Sequence, residues 1–391
     1  MWQFLKNRFE APGVGHRILP MEGLRGLAGL LVFFVHFNGL FYPYIRLGSW
    51  MAAFSSTAGN FGHAGVDLFF VLSGFLIYGI VIEKHPKYRI FIWRRALRLY
   101  PVFLAVLSLY LGLSLLFPAE SKLPHSISEK LVYVGGNLLM LPGMTRIPAM
   151  ITVAWSLSYE WFFYLTLPLL VGVLGLRRWS SWQRVGFFLF LPAAYCVLWS
   201  LGLVGEIRLI LFAAGIVLWE LVDRQVSRRL SSWMEYFVTG AFLINLLAIG
   251  LNGAQHGETD VILSRVPHFY APSLFLTLVP FCLYAMFFNG FLQRLFSWDY
   301  LRWLGNISYS YYLIHGLALH GVKLLVNRMF PSTPGSGLFD LLLLGGSLSF
   351  SIFCAAILYL FVEKPLSWSK TARSRACKVR SDHTAPAEVG L

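Results

Sequence analysis

Charge is scarce in this chain. Only 13% of its 391 residues are Asp, Glu, Lys or Arg, about half of what a soluble domain carries, and 57% are hydrophobic. With a mean hydropathy of +0.65, a water-soluble enzyme is excluded. Acid is scarcer than base: 18 Asp and Glu stand against 32 Lys and Arg, leaving a net charge of +14. That surplus does not indicate nucleic acid, because the basic residues sit in short gaps between apolar runs rather than along one groove-facing stripe. Cysteine is also rare. Cys196, Cys282 and Cys354 lie inside apolar runs and Cys377 in a basic tail, so neither a disulfide framework nor a metal-ligand spacing is present. A cleavable signal is missing too: residues 1–20 mix charge with Trp2, Phe4, Leu5 and Phe9, the composition of an interfacial segment.

What the chain has in quantity is long apolar runs. A helix needs about 20 apolar residues to cross a bilayer. Ten segments qualify, near 24–43, 63–83, 99–117, 153–176, 185–202, 204–221, 233–251, 267–288, 304–328 and 338–363. A further apolar stretch, 131–150, is broken by Gly135, Gly136, Pro142, Gly143 and Pro148 and reads as re-entrant or lying at the outer surface. With the N-terminus inside, 24 of the 32 Lys and Arg fall on the cytoplasmic side. The expected fold is therefore all-α and integral to the membrane, with about ten transmembrane helices and both termini cytoplasmic. One membrane domain, 21–366, follows an interfacial N-terminus, 1–20, and precedes a basic tail, 367–391, expected to be disordered or to lie against anionic lipid. No internal repeat is visible.

Polar side chains inside such spans are costly, and the default reading is functional. The first span carries Glu22, Arg25 and His36. Eleven residues are almost three helical turns, so Arg25 and His36 project from one face, with the imidazole about 16 Å deeper. A lone histidine could equally be a neutral core residue bonded to a carbonyl; the shared facing with Arg25 and Glu22 favours function. Gly23, Gly26 and Gly29 form a small-residue stripe suited to close helix approach. In the second span, Asp67 could orient a hydroxyl or His36, or could simply be a carboxylate favoured at a helix start. His63 reads as interfacial, and Ser73 lies mid-membrane.

Among the six basic residues between the second and third spans, most act as topology determinants. Arg95 and Arg98 differ, because a three-residue spacing lets two guanidiniums grip a multi-phosphate ligand. In the fourth span Ser156, Glu160, Tyr164 and Pro168 form a stripe centred on a carboxylate, which a bond to serine or tyrosine would explain as well as catalysis would. The ninth span adds a tyrosine-rich start, then His315 and His320.

A cationic mouth of Arg25, Arg95 and Arg98 with an imidazole three turns deeper suits a donor that has a phosphate-rich head and a long thin arm. Coenzyme A thioesters have that shape. His36 could take a proton from an attacking hydroxyl or be acylated itself, with Glu160 or Asp67 supporting the imidazolium. Ser73, Tyr164 and His315 are expected to line the substrate.

Six blocks resemble the acyltransferase type 3 family of membrane O-acyltransferases. They are Glu22-Gly23-Leu24-Arg25 with His36; the run from Gly65-Val66-Asp67 through Ser73-Gly74-Phe75; Arg95, Arg98 and Pro101; Trp155 to Glu160; Ile307 to Ser310 with His315; and Glu363-Lys364-Pro365. They occur in family order from residue 19 to 366. The resemblance implies a ten-span enzyme of the bacterial inner membrane that moves an acyl group, often acetyl, from cytoplasmic acyl-CoA to a hydroxyl of an envelope saccharide or glycolipid. It implies catalysis by His36 and donor handling by Arg25, Arg95 and Arg98, with no tightly bound cofactor and no nucleic-acid partner. Two departures stand out: Glu22 replaces a commoner Asp, and no hydrolase-like domain follows the last span, so the protein is expected to deliver the acyl group alone or through a partner. Two other readings are a small-molecule or lipid acceptor, such as a macrolide, and a proton-coupled permease using His36, Glu160 and His315. The permease would need repeats and broken helices that the sequence lacks.

Overall fold

The computed structural model describes residues 2–10, 18–226, 230–255, 270–330 and 337–368. Among them there is no strand. The basic tail beyond residue 368, with Cys377, lies outside the described residues.

Helices occupy all ten apolar segments. They are α2 (Leu19–Phe41), α4 (Ala64–Lys84), α5 (Tyr88–Leu116), α7 (Trp155–Val173), α8 (Ser181–Ser200), α9 (Ile210–Asp223), α10 (Ser232–Gln255), α11 (Tyr270–Phe287), α14 (Ser308–Met329) and α15 (Gly337–Leu358). Among the described residues, seven stretches are apolar and long enough to cross a bilayer; they contain α2, α4, α5, α7, α10, α11 and α15, which makes this a multi-pass membrane protein. At 14 residues α9 is about 21 Å long, short of the hydrocarbon thickness, and α14 carries the tyrosines and histidines that dilute its apolar character. Shorter helices fill the connections: α1 (Trp2–Phe9), α3 (Trp50–Gly62), α6 (Ile127–Leu138), α12 (Phe291–Phe296) and α13 (Asp299–Asn306). α3 lies between the first two expected spans. It folds because Ser49 caps it, accepting a hydrogen bond from the Ala52 amide at 3.2 Å, and because its small residues pack on α2.

At the centre, α2 packs against α3, α4, α13 and α14, while α4 packs on α9. Glycine sets these approaches. A Cβ at Gly23 would strike the Phe296 carbonyl, and one at Gly26 the Leu301 carbonyl, so this stripe serves α13 and the end of α12. The α4–α9 crossing is as close: a Cβ on Gly74 would meet the Phe212 carbonyl, and one on Gly215 the Val71 carbonyl. Beside it, Phe212 stacks between Phe70 and Phe163 at 4.4 and 4.3 Å.

Glu22 does not share the outlook of Arg25 and His36, as the sequence reading supposed. It faces α13, 3.2 Å from the Arg302 guanidinium, which also pairs with Glu10 and Asp299. Glu22 therefore fastens α1 and α13 to α2. Another buried carboxylate, Glu220 of α9, is likewise structural: it accepts hydrogen bonds from Tyr78, Ser181 and Arg184.

Within 131–150, α6 is 12 residues long and too short to span. The following turn is tied onto α7: Asn137 bonds the Pro148 carbonyl at 3.1 Å and the Met150 amide at 2.8 Å, and the Gly143 amide donates to Ser158 at 3.1 Å. After α15 the chain continues as a π-helical segment, Tyr359–Trp368, which carries Glu363 inward. Such wider turns recur at functional sites.

Candidate active site

Three groups of polar side chains follow one another through the bundle. At one end, α5 starts with the basic run and carries Arg95 and Arg98, both half-buried. Arg98 lies 2.9 Å from Glu363, whose other oxygen accepts from the Ser310 hydroxyl at 2.6 Å and the Ser310 amide at 3.2 Å. One carboxylate thus joins α5, α14 and the π-helical segment. Tyr309 beside it donates to the Leu99 carbonyl at 2.7 Å. Arg25 is close enough to Arg98, Glu363, Glu160 and Tyr164 for their charges to act on it. Arg95 feels Tyr164, Glu160 and Arg98, packs over the Phe91 ring at 5.6 Å, and keeps a buried Nε with no hydrogen-bond partner.

Glu160 sits between these arginines and α4. It accepts hydrogen bonds from Ser73, at 2.8 Å, and from Tyr164 one turn along its own helix. Arg25, Arg95, Arg98, Glu160, Ser73 and Tyr164, which the sequence reading had divided among donor, catalytic and substrate roles, therefore form one cluster. Its other carboxylate, Glu363, was quoted in a motif but given no role, although a lone acid closing an apolar run is itself a signal.

The second group lies about 16 Å along α2 from Arg25. The ring of His36 meets that of His315 on α14, with centroids 4.9 Å apart and planes at 65°. His315 is fully buried. Its Nδ1 is 3.1 Å from the Tyr311 carbonyl and 2.9 Å from the Tyr312 carbonyl. Because both neighbours are acceptors, Nδ1 must carry the proton, so Nε2 holds the lone pair; it has no protein partner. Neither Glu160 nor Asp67 bonds the His36 imidazole; the titratable ring it meets is that of a second histidine. His315 had been placed against substrate; here it lies against His36.

Asp67 belongs to the third group. It is fully buried on α4, two turns from Ser73, and accepts from the Tyr270 hydroxyl at 2.9 Å. The guanidinium of Arg208, in the turn before α9, approaches it at 3.9 Å and Glu206 at 3.8 Å. Sequence reading gave Arg208 no part, although a lone cation opening an apolar segment is a signal of the same kind. Gly62 and Gly65 press the start of α4 against α2, where a Cβ would strike the carbonyls of Leu31 and Ala28. His63 is thereby brought within electrostatic range of both His36 and Arg208.

A family model described as an acyltransferase domain, type 3, matches residues 19–362. The chain belongs to this family, and the protein is an acyltransferase. It is 27% identical over 333 residues to YrhL of Bacillus subtilis (strain 168), provisionally named a peptidoglycan O-acetyltransferase; the match covers 77% of this chain and 48% of that protein. The chain thus spans about half the length of that relative. It is also 28% identical over 389 residues to the acyltransferase MdmB of Streptomyces mycarofaciens, covering 89% of this chain and 91% of MdmB. No solved structure matches.

Proposed function

We propose that the protein is an inner-membrane O-acetyltransferase that uses cytoplasmic acetyl-CoA to acetylate a hydroxyl of a bacterial cell-envelope saccharide, such as O-antigen or exopolysaccharide. In this reading the chain crosses the membrane ten times with both termini in the cytoplasm. The observation that carries it is the His36–His315 pair, set about three helical turns from a cluster of three arginines. Arg25, Arg95 and Arg98 take the phosphates of the donor, where charge-assisted contacts are strong. Glu160 and Glu363 hold those arginines in place while the pantetheine arm extends along α2.

At the far end of that arm, once the thioester is bound, His36 turns the N–H of one ring nitrogen to the unpartnered Nε2 of His315 and keeps a lone pair on the other. That nitrogen takes the proton of the acceptor hydroxyl as its oxygen attacks the thioester carbonyl. The C–S bond then breaks, and the imidazolium returns the proton to the departing thiolate, giving ester and free CoA. Acylation of His36 itself, followed by transfer, uses the same geometry. Labelled acetyl-CoA supplied to membranes containing the protein, with label followed into alkali-labile glycan esters and into lipid, tests the proposal. Wild type should label glycan and His36→Ala should not, at equal protein levels. Label appearing only in lipid would move the acceptor to that class, and CoA release without dependence on His36 would remove the assignment.

A further inference from the structure

The end of the bundle away from the arginines holds polar groups that the donor chemistry does not use. Four helix starts converge there, bringing Asp67, Arg208, Tyr270 and Trp155 together. Asp67 is six residues along α4 from Ser73, about 9 Å. Arg208 is 6% exposed, and its guanidinium lies between the rings of Trp155 and Tyr270, at 5.5 and 5.6 Å from their centroids.

Its position is incompletely matched. The Nε is 3.9 Å from Asp67 Oδ1 and 3.8 Å from Glu206 Oε1, both beyond hydrogen-bond length. Buried Nε and Oδ1 each have no hydrogen-bond partner, although buried polar groups are almost always satisfied. A donor atom thus faces an acceptor atom across a gap. A hydroxyl placed to one side of the pair can accept from Nε and donate to Oδ1 together.

Resting on the acetyltransferase reading above, we propose that Asp67 and Arg208, with Tyr270 and Trp155, form the acceptor subsite, and that it takes a neutral polyhydroxyl ring. Two carboxylates stand within 4 Å of a single guanidinium, so the cluster has no positive charge to spare for phosphate or carboxylate. The donor's head is therefore excluded from this end. Aromatic faces beside paired donors and acceptors suit a sugar, whose C–H surfaces pack on rings while its hydroxyls bridge. His63 lies within electrostatic range of both Arg208 and His36, which puts the subsite on the side of the bundle that carries the base.

The test uses membranes carrying the full chain, [14C]acetyl-CoA and added deproteinised envelope glycan. Arg208→Gln and Asp67→Asn should raise the apparent KM for glycan about tenfold, the usual scale for losing one buried hydrogen bond, while the KM for acetyl-CoA stays within about twofold. Tyr270→Phe, which keeps the ring and removes only the hydroxyl given to Asp67, should show a smaller effect in the same direction. Unchanged glycan dependence in folded variants, or a rise in acetyl-CoA KM instead, overturns the proposal. Wild type that labels no glycan sinks the functional reading instead. Saturation-transfer NMR on the purified protein in lipid nanodiscs, with methyl glycosides of glucose, galactose, mannose and N-acetylglucosamine against methyl glucuronide, then decides on the subsite. Signals from neutral glycosides that vanish in Arg208→Gln support it, whereas a preference for the glucuronide, or no signal from any glycoside, removes it.

Discussion

The two ends of the bundle are built from the same residue types in opposite ratio. At one, Arg25, Arg95 and Arg98 outnumber Glu160 and Glu363; at the other, Asp67 and Glu206 outnumber Arg208. The first arrangement leaves net positive charge among half-buried side chains, and the second leaves dipoles and unpaired hydrogen-bonding atoms. Ligand class follows from that balance more than from residue identity: surplus guanidinium favours polyanions, and a neutralised cluster favours hydroxyls. The histidine pair between them is the one part that neither end resembles.

The comparison can be broken most sharply in the middle. Replacing His36 with Gln should cut glycan acetylation by about 10²–10⁴ without altering binding at either end, the range for losing a positioned base; retention of both KM values with lost turnover is the expected signature. Arg95→Ala with Arg98→Ala should come next, raising the acetyl-CoA KM by about 10–100-fold for two charge-assisted contacts, with the glycan KM unmoved. His315→Ala should lower kcat by about tenfold, and His315→Asn, whose amide can mimic the ring nitrogens in part, should recover some of it. The smallest and most telling measurement is salt. Raising ionic strength should weaken acetyl-CoA use through screening of the half-buried arginines and leave glycan dependence nearly flat; parallel weakening of both would erase the distinction between the ends.

Much of the arginine cluster's layout was legible in the sequence because it depends on spacing within single helices. The Arg25–His36 interval, the Arg95–Arg98 interval and the Glu160–Tyr164 stripe are all short-range patterns. The small-residue stripe at Gly23 and Gly26 also read correctly as a contact surface. What remained hidden depends on which helices meet. Glu363 approaches Arg98 across 265 positions of chain, and Arg208 approaches Asp67 across 141. No local periodicity encodes either pairing. Glu22 misled for a related reason: its place on the same helix suggested a shared role with Arg25, whereas α13 turns it into an anchor. His315 was legible as a residue of interest but not as a partner for His36, since that role comes from the commitment of its Nδ1 proton to two backbone carbonyls.

The π-helical segment at Tyr359–Trp368 makes register, and not only composition, a determinant of the donor end. Removing one residue from α15, upstream of this segment, would swing the carboxylate by about 100° around the axis. Arg98 would then lose its anchor while every side chain of the cluster was still present, so a one-residue deletion far from the bound thioester is expected to be harsher than most substitutions nearby.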